Sequence, residues 1–153
     1  MHELQIEQLQ NREEIPWDLL LLADPSREVI EAYLPKSQIF LGTLDNKIIG
    51  VYVLTALENG VIELKNVAVD KTHQGKGFGK QLIMDAIART KQQGAKRIEV
   101  GTGNSSLLQL ALYQKCGFRI VGIEKGFFYK NYKEKIIENG IRCVDMIRLA
   151  ITF

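Results

Sequence analysis

The chain has 153 residues, 46% hydrophobic and 25% charged, with a mean hydropathy of −0.06, which is room for one hydrophobic core and excludes a disordered or collagen-like chain. The longest apolar run, Val51 to Leu57, is interrupted by Tyr52 and Thr55 and falls far short of the ~18 residues that a membrane span needs. Net charge is only +2, but the first 70 residues carry 5 Lys and Arg against 12 Asp and Glu and the remainder 15 against 6, an asymmetry that suits an anionic ligand on the carboxyl half and a cationic one elsewhere.

Leu4 and Ile6 alternate with polar neighbours and predict a short first strand. No basic segment followed by an apolar core precedes it, so no secretory signal is expected and a cytoplasmic location is. Asn11, with Glu14 three residues on, caps a helix whose Trp17, Leu20 and Leu21 share a face before Asp24-Pro25 breaks it. Ser26 caps a second helix with Val29, Ile30, Tyr33 and Leu34 as its apolar stripe, and Pro35 stops it. From Ile39 the pattern becomes β: strands over Ile39 to Leu44 and Ile48 to Leu57, a turn at Glu58-Asn59-Gly60, and a third long strand over Val61 to Val69.

Asp70 to Gly79 is a glycine-rich loop, followed by a helix with Phe78, Leu82, Ile83, Ala86 and Ile87 at helical spacing and Gly94 at its end. Arg97 to Thr102 reads as a strand, Ser106 to Lys115 as a helix, Phe118 to Ile123 as a strand, Lys125 to Tyr132 as a basic aromatic loop and Cys143 to Ile151 as the closing strand. Cys116 and Cys143 are too few for a disulfide framework and are expected as buried reduced thiols. Two histidines offer no zinc-ligand spacing, so no metal is expected.

The segment from Val67 to Lys80 carries the chemistry: strand, glycine loop, helix. Glycines let successive N–H groups turn toward one point, and the helix start behind them adds positive potential, a cradle for phosphate oxygens that Lys76 and Lys80 reinforce. A P-loop is excluded because Gly79-Lys80 is followed by Gln81 and position 74 is not glycine. The spacing of Gly75, Gly77 and Gly79 likewise misses the dinucleotide fingerprint, and the strand-rich first half is wrong for a doubly wound sheet.

These residues resemble the Gcn5-related N-acetyltransferases, whose pyrophosphate loop, Gln/Arg-x-x-Gly-x-Gly/Ala, is matched by Gln74, Gly77 and Gly79. A second block, Asn104 followed by Ala111-Leu112-Tyr113-Gln114-Lys115-Cys116-Gly117-Phe118, is similar to the family's downstream segment. The resemblance covers nearly the whole chain and implies a single domain over 1–153. It implies an α/β (α+β) fold, a central mixed, mostly antiparallel sheet of about seven strands flanked by about four helices. It also implies an acyltransferase that takes acetyl-CoA as co-substrate and moves the acetyl group to a primary amine by direct attack. The pyrophosphate would lie on Gln74, Gly75, Lys76, Gly77, Phe78, Gly79 and Lys80. The backbone of Val67, Ala68 and Val69 would bind the pantetheine arm and thioester carbonyl, Asn104 would hydrogen-bond the pantetheine, and Tyr113 would stand near the sulfur.

Such a transfer needs a neutral amine, a site for the developing oxyanion and a proton for the departing thiolate. A tyrosine of pKa ~10 is protonated at neutral pH and suits a thiol of ~8.5, which fits Tyr113. An alkylammonium of pKa ~10.4 is neutral in only about one molecule in a thousand, so a base is required. Glu63 stands 11 residues before Gln74, a placement similar to that of the glutamate base in the histone-type branch of the family. Asp145 is the reserve base, and His73 reads as a turn residue beside the phosphate loop.

Two other functions are consistent with parts of the chain. The same fold could hold acyl-CoA as a non-catalytic sensor or interaction module, against which Tyr113 and Glu63 argue. Lys125, Lys130, Lys133 and Lys135 interleave with Phe127, Phe128, Tyr129 and Tyr132 in the manner of a nucleic-acid surface. A net charge of +2 makes this a local patch bordering the acceptor pocket or the CoA 3′-phosphate, so neither nucleic acid nor membrane is an expected partner. A homodimer is left open. The acceptor, a small-molecule or peptide amine, has no readable code, and Glu13, Glu14, Asp18, Asp24, Glu28 and Glu31 either attract it or are merely exposed helix faces.

Overall fold

The computed structural model describes residues 2–153. In chain order its elements are β1 (Gln5–Gln8), α1 (Trp17–Ala23), α2 (Arg27–Tyr33), β2 (Ser37–Leu44), β3 (Lys47–Ala56), β4 (Val61–Val69), α3 (Phe78–Gln92), β5 (Arg97–Gly103), α4 (Leu107–Lys115), β6 (Arg119–Glu124), α5 (Phe127–Asn131), β7 (Ile137–Glu138), β8 (Ile141–Arg142) and β9 (Met146–Thr152). Seven strands form one sheet in the order β1-β2-β3-β4-β5-β9-β6. Every pairing in it is antiparallel except β4 with β5.

The hairpins follow from their turn residues. Asp45 and Asn46 take φ of 50° and 65° between β2 and β3, and Asn59 and Gly60 take 62° and 75° between β3 and β4. Left-handed backbone of that kind matches the twist of the flanking strands. The parallel β4–β5 step requires a crossover, and the helical run from Phe78 supplies it as α3.

Two apolar layers result. Tyr52, Leu54, Leu64, Val67, Leu82, Ile83, Ile98 and Leu149 pack between the sheet and α3, while Leu20, Ile30, Tyr33, Ile39, Val51, Val53 and Ala68 pack between the opposite face and α1 and α2. Cys116 and Cys143 are free and buried, as expected. Among the described residues no helix is long and apolar enough to cross a membrane.

The structure departs from expectation near the start, where Asn11 caps a 3-10 turn over Arg12–Glu14 and α1 begins only at Trp17, after Pro16, and again in the last third. The sheet is as expected and the helices of the described residues number five, the fifth being the short α5 within the segment expected as a basic aromatic loop. This helix opens at Gly126 (φ 71°), whose N–H donates to Asp145 Oδ1 at 2.9 Å, and five residues are too short to show a helical period in sequence. The β7–β8 hairpin, turned by Asn139 and Gly140 at φ 55° and 72°, was not expected at all. β9 begins at Met146 rather than Cys143, since the Val144 and Asp145 N–H groups donate to Asn104 Oδ1 instead of to a strand.

Candidate active site

β4 and β5 pair only from Val61 with Arg97 to Leu64 with Val100. Opposite β3 the register shifts between Val53 and Leu54, so that Lys65 is an extra residue in β4, and a bulge of this kind bends and twists its strand. Past it β4 leaves β5. Val67, Ala68 and Val69 stay bonded to β3 on one side and present an open backbone edge on the other. Unpaired backbone groups need partners, which makes this edge a candidate binding surface.

A cleft of about 610 Å³ occupies the opening, lined by Val67, Ala68, Val69, His73, Gln74, Gly75, Gly77, Gly79, Lys80 and Ile83, with Leu107, Leu108 and Leu112 of α4 opposite. Gln74 Nε2 donates to the Val69 carbonyl at 2.9 Å, tying the loop to the end of β4. Gly75 and Gly77 take φ of 76° and 87°, the second of them at the cap of the 15-residue α3, so the first N–H groups of that helix emerge from a turn that L side chains rarely adopt. Gly79 keeps the wall thin, since a Cβ there would stand 3.5 Å from Leu112 Cδ2. Phe78 is buried in the core, so only its backbone can serve a ligand, and Lys76 is exposed outside the lining while Lys80 lies within it.

The remaining expected residues are placed less simply. Tyr113 is buried on α4 with its ring edge-on to Phe118 at 5.7 Å. Burial, and then the neighbouring Cys116, push its hydroxyl well above the usual tyrosine range, so it stays protonated. Asn104 acts as a pin: Oδ1 accepts from the N–H groups of Val144 and Asp145 at 2.8 and 3.0 Å, and Nδ2 donates to the Arg142 carbonyl at 3.1 Å. One amide N–H is left for a ligand. Asp145 Oδ1 is engaged by the Gly126 N–H just ahead of α5, and His73 Nδ1 lies 3.0 Å from Thr72 Oγ1 and 3.5 Å from Asp70 Oδ2.

Glu63 is buried but does not enter the cleft. It lines a separate hollow of about 410 Å³ with Leu57, Glu99, Val121, Gly122, Ile123, Glu124 and Arg148. Arg148 Nη1 lies 3.0 Å from its Oε2, and Lys65 Nζ 3.6 Å from its Oε1. The structure therefore gathers the loop residues and the β4 edge at one cleft and sets Glu63 apart from it.

Sequence reasoning missed several lining residues: Leu22 and Ala23 of α1, Ser106, Leu107, Leu108 and Gln109 at the start of α4, and Glu138 and Asn139 of the β7–β8 turn. Two signals were present in the sequence. Leu107 and Leu108 are adjacent leucines that open the helix expected from Ser106, and Asn139-Gly140 is a hairpin dipeptide. Glu138 Oε1 accepts from the hydroxyls of Ser105 and Ser106 at 3.2 and 2.8 Å, fixing the hairpin against α4.

Residues 1–118 match the model of the Acetyltransferase (GNAT) family. The chain is 48% identical over 151 residues, 99% of its length and 97% of the relative's, to the uncharacterized N-acetyltransferase YvbK of Bacillus subtilis (strain 168). Among solved structures it is similar to a GNAT family acetyltransferase from Elizabethkingia anophelis with acetyl-CoA bound, at 46% identity, a TM-score of 0.97 and coverage of 100% of both chains. It is also similar to an IAA acetyltransferase from Bacillus cereus ATCC 14579, at 49% identity and a TM-score of 0.94, covering 98% of this chain and 99% of that one.

Proposed function

The chain belongs to the GNAT acetyltransferase family, and from that premise we propose that it transfers the acetyl group of acetyl-CoA to a primary amine of a small molecule or peptide by direct attack on the thioester. The observation that carries the reading is the open edge of β4 at Val67 to Val69, facing a cleft that also holds the glycine-capped start of α3. Acetyl-CoA supplies an acyl group already activated as a thioester.

The residues then have these roles. N–H groups of Gly75 to Lys80, with the Lys80 ammonium, take the pyrophosphate, since a helix start favours anions. The open backbone of Val67, Ala68 and Val69 holds the pantetheine arm and polarises the acetyl carbonyl. The remaining N–H of Asn104 adds to the pantetheine contacts. Tyr113, kept protonated by burial, gives its proton to the leaving sulfur. Glu63, oriented by Arg148 at 3.0 Å, takes the amine proton through water. Residues 1–153 act as one domain, and the unpaired thiols Cys116 and Cys143 support a reducing, cytoplasmic setting.

For a homodimer the favourable place is the edge of β6. Ile120, Val121 and Ile123 are exposed there, and a two-fold antiparallel pairing would set Arg119 of one copy against Glu124 of the other. The mass in solution of the wild type and of Arg119→Glu tests it.

The activity itself is tested by free-CoA release with amines, amino acids, peptides and aminoglycosides. Release that depends on one of these classes is expected. Tight acetyl-CoA binding without release for any of them would remove the amine-transfer reading.

A further inference from the structure

Of the acidic residues on and around the amino-terminal helices, Glu13, Glu14, Asp18, Glu28 and Glu31 are exposed, and Asp24 alone is drawn inward. It follows Ala23, which lines the cleft, and its N–H donates to the Leu20 carbonyl at 3.1 Å. The same carbonyl accepts from Asn66 Nδ2 at 3.1 Å. Asp24 is thereby held against β4 just past the bulge where that strand leaves β5.

Its carboxylate joins three parts of the fold. Oδ1 accepts from the Ser26 N–H at 3.1 Å and from the Tyr132 hydroxyl, just beyond α5, at 2.9 Å. Both bonds fall on one oxygen and leave Oδ2 to a ligand. Among the described residues no cation is within ion-pairing distance of Asp24. Lys65, whose charge it feels, is directed instead to Glu63 at 3.6 Å and over the Tyr33 ring at 5.5 Å. Burial outweighs the bonds from Ser26 and Tyr132 and holds the carboxyl above its usual range, the signature of a carboxylate short of positive charge.

A second acceptor, on the residue that shares the Leu20 carbonyl with Asp24, is also unmatched. Asn66 is 4% exposed, its Nδ2 donates to Leu20 and to the Tyr33 hydroxyl, and its Oδ1 is buried with no hydrogen-bond partner among the described residues. Buried acceptors without donors are rare in native proteins and point to a missing partner. The group that answers a partly buried carboxylate with one oxygen free and no cation beside it is a donor that accepts nothing and carries positive charge.

We propose that Asp24, fixed by Tyr132 and the Ser26 N–H, is the anchor for the ammonium group of the acceptor substrate, and that it selects amines that are cationic in solution. This rests on the reading of the chain as an amine acetyltransferase and names the group that recognises the acceptor. Asp24 binds the ammonium; the proton leaves afterwards to the base and then to solvent, so the carboxylate is unchanged over a turnover.

The test is CoA-release kinetics on the full chain with n-butylamine, spermidine, lysine and glycylglycine as probes, comparing wild type with Asp24→Asn and Tyr132→Phe. For every probe the wild type acetylates, Asp24→Asn is expected to raise the amine KM about tenfold or more while kcat and the acetyl-CoA KM stay within about twofold. Tyr132→Phe, which loosens the carboxylate without removing it, should raise the amine KM by a smaller factor. Full retention of the amine KM in Asp24→Asn overturns the anchor and leaves the amine reading standing. A matching loss of acetyl-CoA affinity marks Asp24 as structural and also overturns it. No release by the wild type with any probe overturns the amine reading, and the anchor with it.

Discussion

Arg148 Nη1 meets Glu63 Oε2 at 3.0 Å by reaching from β9 over β5 to β4, and it passes where β5 has Gly101. A Cβ at that glycine would lie 3.1 Å from Arg148 Nη1 and 2.5 Å from Met146 Sδ. The same guanidinium holds Glu124 of β6 at 2.6 Å, so one arginine links three strands and fixes the orientation of the candidate base. Glu63→Gln is expected to lower kcat about tenfold or more near neutral pH, with the deficit shrinking toward about pH 9 to 10 as the amine loses its proton unaided. A raised KM with unchanged kcat at every pH would assign Glu63 to binding instead.

Gly77 and Gly79 separate strain from access. Gly77→Val forces a β-branched residue to φ 87° and should cost about 1–3 kcal/mol of stability together with acetyl-CoA affinity. Gly79→Ala adds a methyl group only in ordinary contact with Leu112, so it should leave the melting temperature nearly unchanged while weakening acetyl-CoA binding. Calorimetry on both variants decides; full affinity in Gly79→Ala would remove that wall from the donor site.

Tyr113→Phe deletes one hydroxyl from a buried ring. Acetyl-CoA affinity should hold and turnover fall by about ten- to a thousand-fold. Because burial raises the Tyr113 pKa, the wild-type rate should show no alkaline loss near the ordinary tyrosine value of ~10. A wild-type rate in the variant would end the general-acid assignment.

Asn104→Ala removes three hydrogen bonds that hold residues 142–145 against the end of β5. Each is worth about 1 kcal/mol net, so a fall in melting temperature of roughly 6–12 °C is expected. An unchanged melting temperature would mean that the pin carries no load and that Asn104 serves the ligand alone.

Asp24 also sets a pH dependence of stability. Its folded pKa is raised, chiefly by burial, so the charged form is disfavoured in the fold. Below the unfolded value of ~3.9 the group is neutral in both states and costs nothing; above the folded value the cost is fully present. Asp24→Asn should therefore be more stable than wild type near neutral pH, with the gap closing as pH falls toward about 4. Urea midpoints across that range measure it, and a constant gap would contradict the burial argument.

The local elements were legible in sequence because their signals are local. Ser26 was expected to cap α2, and its hydroxyl does accept from the Val29 N–H at 3.2 Å. Val61 to Val69 has the expected bounds, since turn residues and β-branched alternation mark both ends. Gln74, Gly75, Gly77, Gly79 and Lys80 line one cleft with Val67 to Val69 because a strand, a glycine loop and a helix contiguous in the chain have few ways to fold. The α5 helix and the β7–β8 hairpin were not legible in the same way: five residues are too few for a helical period, and two-residue strands show no alternation on either side of the Asn139-Gly140 turn.

By itself, then, the sequence determined the family, the order of the main elements and the phosphate-side loop, all of which depend on neighbours a few residues apart. Only the tertiary structure decided where β4 parts from β5, that Glu63 belongs to an ion-pair network outside the cleft, and that Asp24 is drawn in while Glu28 and Glu31 stay exposed. Those outcomes rest on contacts such as Tyr132 with Asp24, 108 positions apart, and Arg148 with Glu63, 85 apart. The burial that shifts a carboxyl, or the glycine that lets an arginine cross a strand, arises only when such distant segments meet, and no short-range pattern encodes it.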